Sequence, residues 1–316
     1  MGTLTALDQI RELDELSHKQ WIALAKKLGG LSEVKALLRD ELKVHYSGQV
    51  TVTVSEKTLP LFDKNGRRIP PRTLQAAVCD PNRNFHLVQP NIVLADRFNR
   101  LVEALGCGVG ISSTDFESEV TLTQAALKGS PLWQPVLNGV CLPIIVPQLD
   151  LVDYGEHLDT IVLPAVERAY QKKFKKFMGG RKFVNYRKGD LAGKVSIIEG
   201  TRHELLIERV KHGPIIGLFF PNALQGYSVH AQREQMATLP EQFSLAGLET
   251  AFAMMMYPDT LARDNNTPGY DLSALQWRGP DCSLYFGAYD DGLGFGGGAI
   301  LGFACGFCSG GLLFVR

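Results

Sequence analysis

Five glycines stand at every fourth position near the end of the chain: Gly294, Gly298, Gly302, Gly306 and Gly310. They lie in a stretch with no charged residue between Asp291 and Arg316. Few patterns restrict a backbone more. In a helix this spacing aligns all five along one i, i+4 ridge, the arrangement by which membrane helices approach closely. In a strand the even spacing puts them on one pleat face. A helix over residues 292–315 would span about 36 Å, enough for a bilayer core of about 30 Å. Its ten strongly apolar residues favour insertion by about 3 to 6 kcal/mol. Its nine glycines each weaken a helix by about 1 kcal/mol relative to alanine, so the two contributions nearly cancel. The strand alternative has separate support. Residues 300–308 would present Ile300, Gly302, Ala304, Gly306 and Cys308 on one face and Leu301, Phe303, Cys305 and Phe307 on the other, small against bulky. The tail is expected as a strand or glycine-rich extended segment rather than a membrane helix. Its backbone contact would be with the chain's own core or with a second copy, through residues 292–316.

The rest of the chain can support a sizeable core, because 45% of its 316 residues are apolar. Lys and Arg together number 33, as do Asp and Glu, so any electrostatic function must be local. Met1 to Ala6 has neither a basic start nor an apolar run, and the expectation is a cytoplasmic protein without a secretory leader. Cys79, Cys107, Cys141, Cys282, Cys305 and Cys308 are spread thinly and are expected as reduced, mostly buried thiols.

The order of patterns predicts a mixed α/β fold: an N-terminal helical hairpin, then a sheet covered by helices, then the glycine-rich tail. Residues 1–45 read as helical. Ser17 with Gln20 forms a capping pair, Gly29-Gly30 a stop, and residues 32–42 a second helix. This pair resembles a helix-turn-helix in outline only, since Lys35 stands where a buried aliphatic is needed and Gly30 lengthens the turn; a structural hairpin is the reading. Residues 46–140 form a mixed region, with a strand at 49–55, where Val50, Val52 and Val54 alternate with polar residues, and a helix at 96–105 stopped by Gly106. From a soft boundary near 140, residues 141–316 read as an α/β domain. Strands are expected at 142–146, 194–198, 215–220 and 283–288, and helices at 158–177, 203–211, 229–236 and 248–256.

Within this second half the string Gly213-Pro214-Ile215-Ile216-Gly217-Leu218-Phe219-Phe220-Pro221-Asn222-Ala223-Leu224-Gln225-Gly226-Tyr227-Ser228 is distinctive. It continues through Arg233-Glu234-Gln235-Met236, Met256-Tyr257-Pro258-Asp259, Leu261-Ala262-Arg263-Asp264 and Thr267-Pro268-Gly269-Tyr270-Asp271-Leu272. The chain here resembles a family of uncharacterised proteins that recurs in small-genome, candidate-phylum bacteria. The resemblance implies a bacterial cytoplasmic origin and carries no activity or site residue with it.

The sharpest electrostatic feature is the run Arg168, Lys172, Lys173, Lys175, Lys176, Arg181, Lys182, Arg187 and Lys188, with no acid inside it and with Tyr170, Phe174, Phe177, Phe183 and Tyr186 interleaved. Cations neutralise phosphates and aromatic rings stack on unpaired bases, so segment 168–188 is a candidate surface for single-stranded nucleic acid or another polyanion. The same residues would suit a basic helix on anionic lipid. The plainer alternative is a helix anchored by Tyr170, Phe174 and Phe177 and solvated by its lysines.

A second group, Asp150, Asp153, Glu156, His157 and Asp159, follows the expected strand at 142–146, the end of a strand where α/β folds often place their sites. With His203 and Glu204 it offers candidates for acid–base chemistry on a small molecule. Acids at a helix start also serve the helix itself. No metal or cofactor is assigned. His203-Glu204 begins a zinc-protease pattern that Ile207 breaks, and Asp264 to Gly269 fails as a calcium loop at Pro268 and Leu275. Phosphate-loop and serine-elbow signatures are absent from the sequence. Cys305 and Cys308 have redox-pair spacing without the helix start such a pair uses, and on a strand they would face apart. Three functions therefore stay open: polyanion binding, small-molecule catalysis, and self-assembly through the tail.

Overall fold

The computed structural model describes residues 26, 42–47, 51–56, 60–82, 84–173, 182–289 and 292–316. Contacts divide the chain into residues 1–59 and residues 60–316. In the first unit Lys26 is helical, and β1 (Leu42–Ser47) pairs antiparallel with β2 (Thr51–Glu56), Leu42 opposite Glu56 and Ser47 opposite Thr51. The helical reading is corrected at residues 42–45. There Val44 and Tyr46 alternate with Lys43 and His45, a period of two rather than 3.6. The remainder of the expected hairpin lies outside the described residues.

Residues 60–316 form one packed unit, so the boundary expected near 140 falls at 59/60 instead. The reason is shared core: Leu101, Phe116 and Val120 lie in the same apolar cluster as Ile144 and Phe252. Two helices open the unit. The first, α1 (Leu94–Leu105), ends at Gly106, which takes the left-handed conformation at φ 74° and returns its N–H to Val102. Ser112 caps the next, α2 (Ser113–Lys128), by accepting from the Asp115 N–H. Strand β3 (Leu142–Val146) follows, buried throughout. Helix α3 begins at Tyr154–His157, passes through a π turn at Leu158–Val162 and continues over Leu163–Lys173. Pro164 explains the π turn. Proline clashes with the carbonyl four residues back and lacks an N–H, and the wider turn, with Leu163 N–H on the Leu158 carbonyl, relieves both.

Beyond α3 come β4 (Lys182–Asn185), β5 (Val195–Ile197), α4 (His203–Val210), β6 (Ile215–Phe220), α5 (Val229–Glu234), β7 (Phe243–Leu245) and α6 (Glu249–Met256). The chain then adds β8 (Gly269–Leu272), β9 (Leu275–Trp277), β10 (Ser283–Tyr289), β11 (Gly292–Gly298), β12 (Cys308–Gly310) and β13 (Leu312–Phe314). These strands build two main sheets and a small β5–β9 ladder.

The first sheet, ordered β3-β6-β13-β7, is antiparallel throughout and buried on both faces. Alternate residues of β13 serve opposite cores. Leu313 packs with Phe219, Phe252 and Ile144, while Leu312 and Phe314 pack with Phe62, Phe220 and Phe243. The second sheet, ordered β12-β8-β10-β11-β4, is mixed: β12 runs parallel to β8 and β4 parallel to β11. Its inner face places Leu272, Leu284, Phe286, Leu293 and Phe295 in the larger core, with the Phe286 and Phe295 rings 4.9 Å apart. One residue, Gly311, separates β12 from β13, so the chain passes directly from one sheet into the other.

The protein is thus a mixed α/β fold, and among the described residues no helix is long and apolar enough to cross a membrane. The tail is strand at β11, β12 and β13, and its strands pair with β10, β4, β8, β6 and β7 of the same chain. The expected strand over 300–308 is corrected. Residues 299–307 form turns and irregular backbone, and strand structure resumes at Cys308. In that loop Cys308 N–H bonds the Cys305 carbonyl, a turn that brings the two side chains together, and they form a disulfide. This overturns the all-reduced expectation. Among the free thiols Cys107 is exposed and Cys79, Cys141 and Cys282 are half-buried, not mostly buried.

Candidate functional site

The outer face of the second sheet is rich in tyrosine and glycine. Because register pairs share a face, it can be followed across the strands. One row runs from Asp271 on β8 to Tyr285 on β10 and Gly296 on β11, then to Tyr186 beyond β4, whose N–H bonds the Phe295 carbonyl. The next row holds Gly269, Gly287, Gly294 and Val184, and the third Tyr289, Gly292 and Lys182. Tyrosine and glycine therefore alternate along β10, and each outward position of β11 is glycine.

The glycines are seats for the rings. A Cβ on Gly296 would lie 2.9 Å from the Tyr285 ring, and one on Gly294 would lie 2.9 Å from both Tyr186 and Tyr289. At Gly287 the Tyr289 hydroxyl would be met at 2.8 Å. With no side chain on these glycines, ring atoms of Tyr186, Tyr285 and Tyr289 occupy the space a Cβ would take. Tyr289 is 40% exposed and Tyr186 58%. Of the five ladder glycines, Gly294 meets tyrosine rings, while Gly306 lies against the Asp80 carbonyl and Gly310 against the Gln232 side chain of the same chain.

Two cavities flank the tyrosines. A cavity of about 580 Å³ is lined by Tyr186, Arg187, Tyr285, Tyr289 and Gly296. The other, of about 660 Å³, has Phe85, Phe307, Tyr285 and Tyr289 as aromatic walls and Asp271 in its lining. The rings of Phe85 and Phe307 stand 5.2 Å apart at its rim. Asp271 accepts a hydrogen bond from Gln232 Nε2 at 3.1 Å. Gln232 is itself fixed, for its Nε2 also donates to the Tyr227 carbonyl and its Oε1 accepts from the Ser273 hydroxyl. Gly310 makes this possible, since a Cβ there would come 1.8 Å from Gln232 Oε1. Burial raises the Asp271 carboxyl to about 6, with Gln232 and the nearby Arg233 guanidinium pulling it the other way.

The basic segment is divided by the fold. Arg168, Lys172 and Lys173 lie on α3 beside another cavity, with Arg168 donating to the Ala104 carbonyl, Lys172 paired to Glu103 and Lys173 3.9 Å from Asp259. Lys175, Lys176, Arg181, Phe174 and Phe177 lie outside the described residues. Lys182 is on the edge strand β4, its backbone opposite Gly292, and Arg187 lines a cavity with Tyr186 and Tyr289. The Arg187 guanidinium sits over the Trp277 ring at 4.3 Å and donates to the Gly297 carbonyl, and Lys188 is exposed.

The acid and histidine candidates are dispersed into structural roles. Asp153 caps α3 and accepts from Gly193 N–H, bonds that hold its carboxyl below the usual range. Asp159 accepts from Asn185 and from Gly189 N–H, while Glu156 is exposed. His157 is half-buried with Nε2 unpartnered, and burial lowers its pKa. Glu204 accepts from Gly200 N–H at the start of α4. His203 stands in a closed chain, Nε2 2.7 Å from the Tyr154 hydroxyl and Nδ1 3.2 Å from Glu249. Both His203 and Glu249 are fully buried, so the chain joins α3, α4 and α6 and meets no solvent. Among the described residues no group of His, Cys, Asp and Glu could hold a metal ion.

Sequence reasoning missed Asp271, Tyr285 and Tyr289. A signal was present: Tyr285-x-Gly287-x-Tyr289 faces Gly292-x-Gly294-x-Gly296 across a short turn, both with period two. Comparison of the chain with family models, with curated proteins and with solved structures finds no match.

Proposed function

We propose that the protein binds single-stranded nucleic acid on the outer face of its second sheet. The observation that carries the reading is the group of tyrosine rings seated on glycines: Tyr186 and Tyr289 at Gly294, and Tyr285 at Gly296, with Tyr186 and Tyr289 exposed. Unpaired bases stack on such rings whatever their sequence, each stack contributing about 1 to 3 kcal/mol. Cations for the phosphates would come from Arg187, which lines the cavity with Tyr186, and from Lys182 and Lys188 of the same basic segment. A duplex, with its bases already stacked, has no comparable use for the surface.

Fluorescence anisotropy with labelled single-stranded RNA and DNA oligonucleotides, titrated with salt, tests the reading. Binding is expected to weaken with salt at a log–log slope of about −2, as three phosphate contacts require. Tyr285→Ala is expected to weaken it about 5- to 150-fold. Absence of binding at low salt, or full binding by a Tyr285→Ala, Tyr289→Ala double variant, overturns it.

A further inference from the structure

The aromatic cavity beside Asp271 is too specific for a surface that only stacks. Its lining includes the rings of Phe85, Phe307, Tyr285 and Tyr289, and its volume of about 660 Å³ exceeds what one ring needs. Among the residues lining it, Asp271 is the one ionised acceptor. The carboxyl cannot swing freely, because Gln232 holds it and is in turn held by Tyr227 and Ser273.

A carboxylate fixed at the end of an aromatic slot selects among bases by their donors. Guanine presents N1–H and an N2 amino group side by side, which two carboxylate oxygens can accept together. Adenine and cytosine each present a single amino group beside a ring-nitrogen acceptor, which a carboxylate repels. Uracil presents one N–H between two carbonyl oxygens and is rejected more strongly. Resting on the stacking reading above, we infer that this cavity is a base-specific subsite in which Asp271 accepts from the N1–H and N2 amino group of guanine, with the ring stacked between the phenylalanine and tyrosine walls. The geometry across the sheet agrees. From Asp271 through Tyr285 and Gly296 to Tyr186 is three strand spacings, about 14 Å, the reach of roughly two nucleotides of extended strand. A guanine at Asp271 therefore leaves the neighbouring nucleotides over the tyrosines, with their phosphates toward Arg187 and Lys188.

The test uses the full chain and nine-nucleotide RNA probes, all adenosine or with one central guanosine, inosine, cytidine or uridine, together with free GMP and AMP. The guanosine probe is expected to bind at least tenfold tighter than the others. Inosine, which lacks the N2 amino group, is expected to lose most of that advantage, a comparison that needs no variant. Asp271→Asn, checked for an intact melting transition, is expected to bring the guanosine probe to the level of the rest. Equal binding of all probes by the wild-type chain overturns the subsite and leaves the stacking surface standing, as does a guanosine preference that survives Asp271→Asn. Binding of GMP over AMP with no oligonucleotide binding overturns the strand reading and keeps the subsite. No binding of any probe or mononucleotide overturns both.

Discussion

The two main sheets are joined by a single glycine between β12 and β13, yet they use their faces in opposite ways. The first sheet is apolar on both sides, and its β6 and β13 residues divide alternately between two cores. The second buries Leu284, Phe286, Leu293 and Phe295 and turns Asp271, Tyr285 and Tyr289 outward. Glycine makes the difference. On the outer face of β11 it takes the positions where a covered sheet would carry Val or Leu, and large rings from the neighbouring strands lie down in the space. One sheet is covered on both faces, and the other buries one face and exposes Tyr289 on the second.

Substitutions that separate stability from binding can break this contrast. The largest effect is expected from Phe219→Ala in the first sheet, where a fully buried ring is lost: about 3 to 5 kcal/mol of stability by chemical denaturation. Next comes His203→Ala, which leaves Glu249 and Tyr154 buried without their partner and is expected to lower stability by about 3 kcal/mol. Tyr285→Ala on the second sheet is expected to cost under about 1 kcal/mol of stability while weakening oligonucleotide binding by the factor given above. A stability loss like that of Phe219→Ala would show that this face is core after all.

Asp271 supplies a smaller, pH-dependent effect. Its folded carboxyl, near 6, lies above the unfolded value of 3.8, so between these pH values the native state holds a proton that the unfolded chain has released. Stability is therefore expected to fall as pH rises from about 4 to about 6, by an amount on the order of 1 kcal/mol, and Asp271→Asn should flatten that part of the profile. Arg233, which faces the same carboxyl from α5, limits the size of the effect. The proposed guanosine selectivity is expected to run the other way, growing from pH 5 to 7 as the Asp271 carboxylate forms. The smallest change is expected from Lys188→Ala: unchanged melting, with the salt slope of binding reduced by about 0.7.

Much of the first sheet was legible in the sequence, because apolar runs such as 142–146 and 215–220 state burial on both faces directly. The helix at 94–105 announced its end with Gly106. Helix α2 escaped notice because its inward residues Phe116, Val120, Thr123 and Leu127 include a threonine and its other faces are mixed. Strands β8 and β9 were too short to show a period. The tail was legible as strand only in part: the regular spacing of the glycines ran on through 299–307, where the chain turns and a disulfide closes. As for the site, the aromatic and basic residues at 182–188 were visible in the sequence. Asp271 was not, because a lone acid in a four-residue strand gains its cavity and its Gln232 partner only when β10 and α5 are folded beside it.

Gly311 carries one more consequence. A single residue cannot absorb the opening of one sheet while the other stays closed, and its neighbours are committed on both sides, to β8 through β12 and to β6 and β7 through β13. In native-state hydrogen exchange the amides of the two sheets should accordingly be released together, as one cooperative unit with one opening free energy. A ligand held on the tyrosine face would then slow exchange at Phe219 and Leu245, residues it never touches.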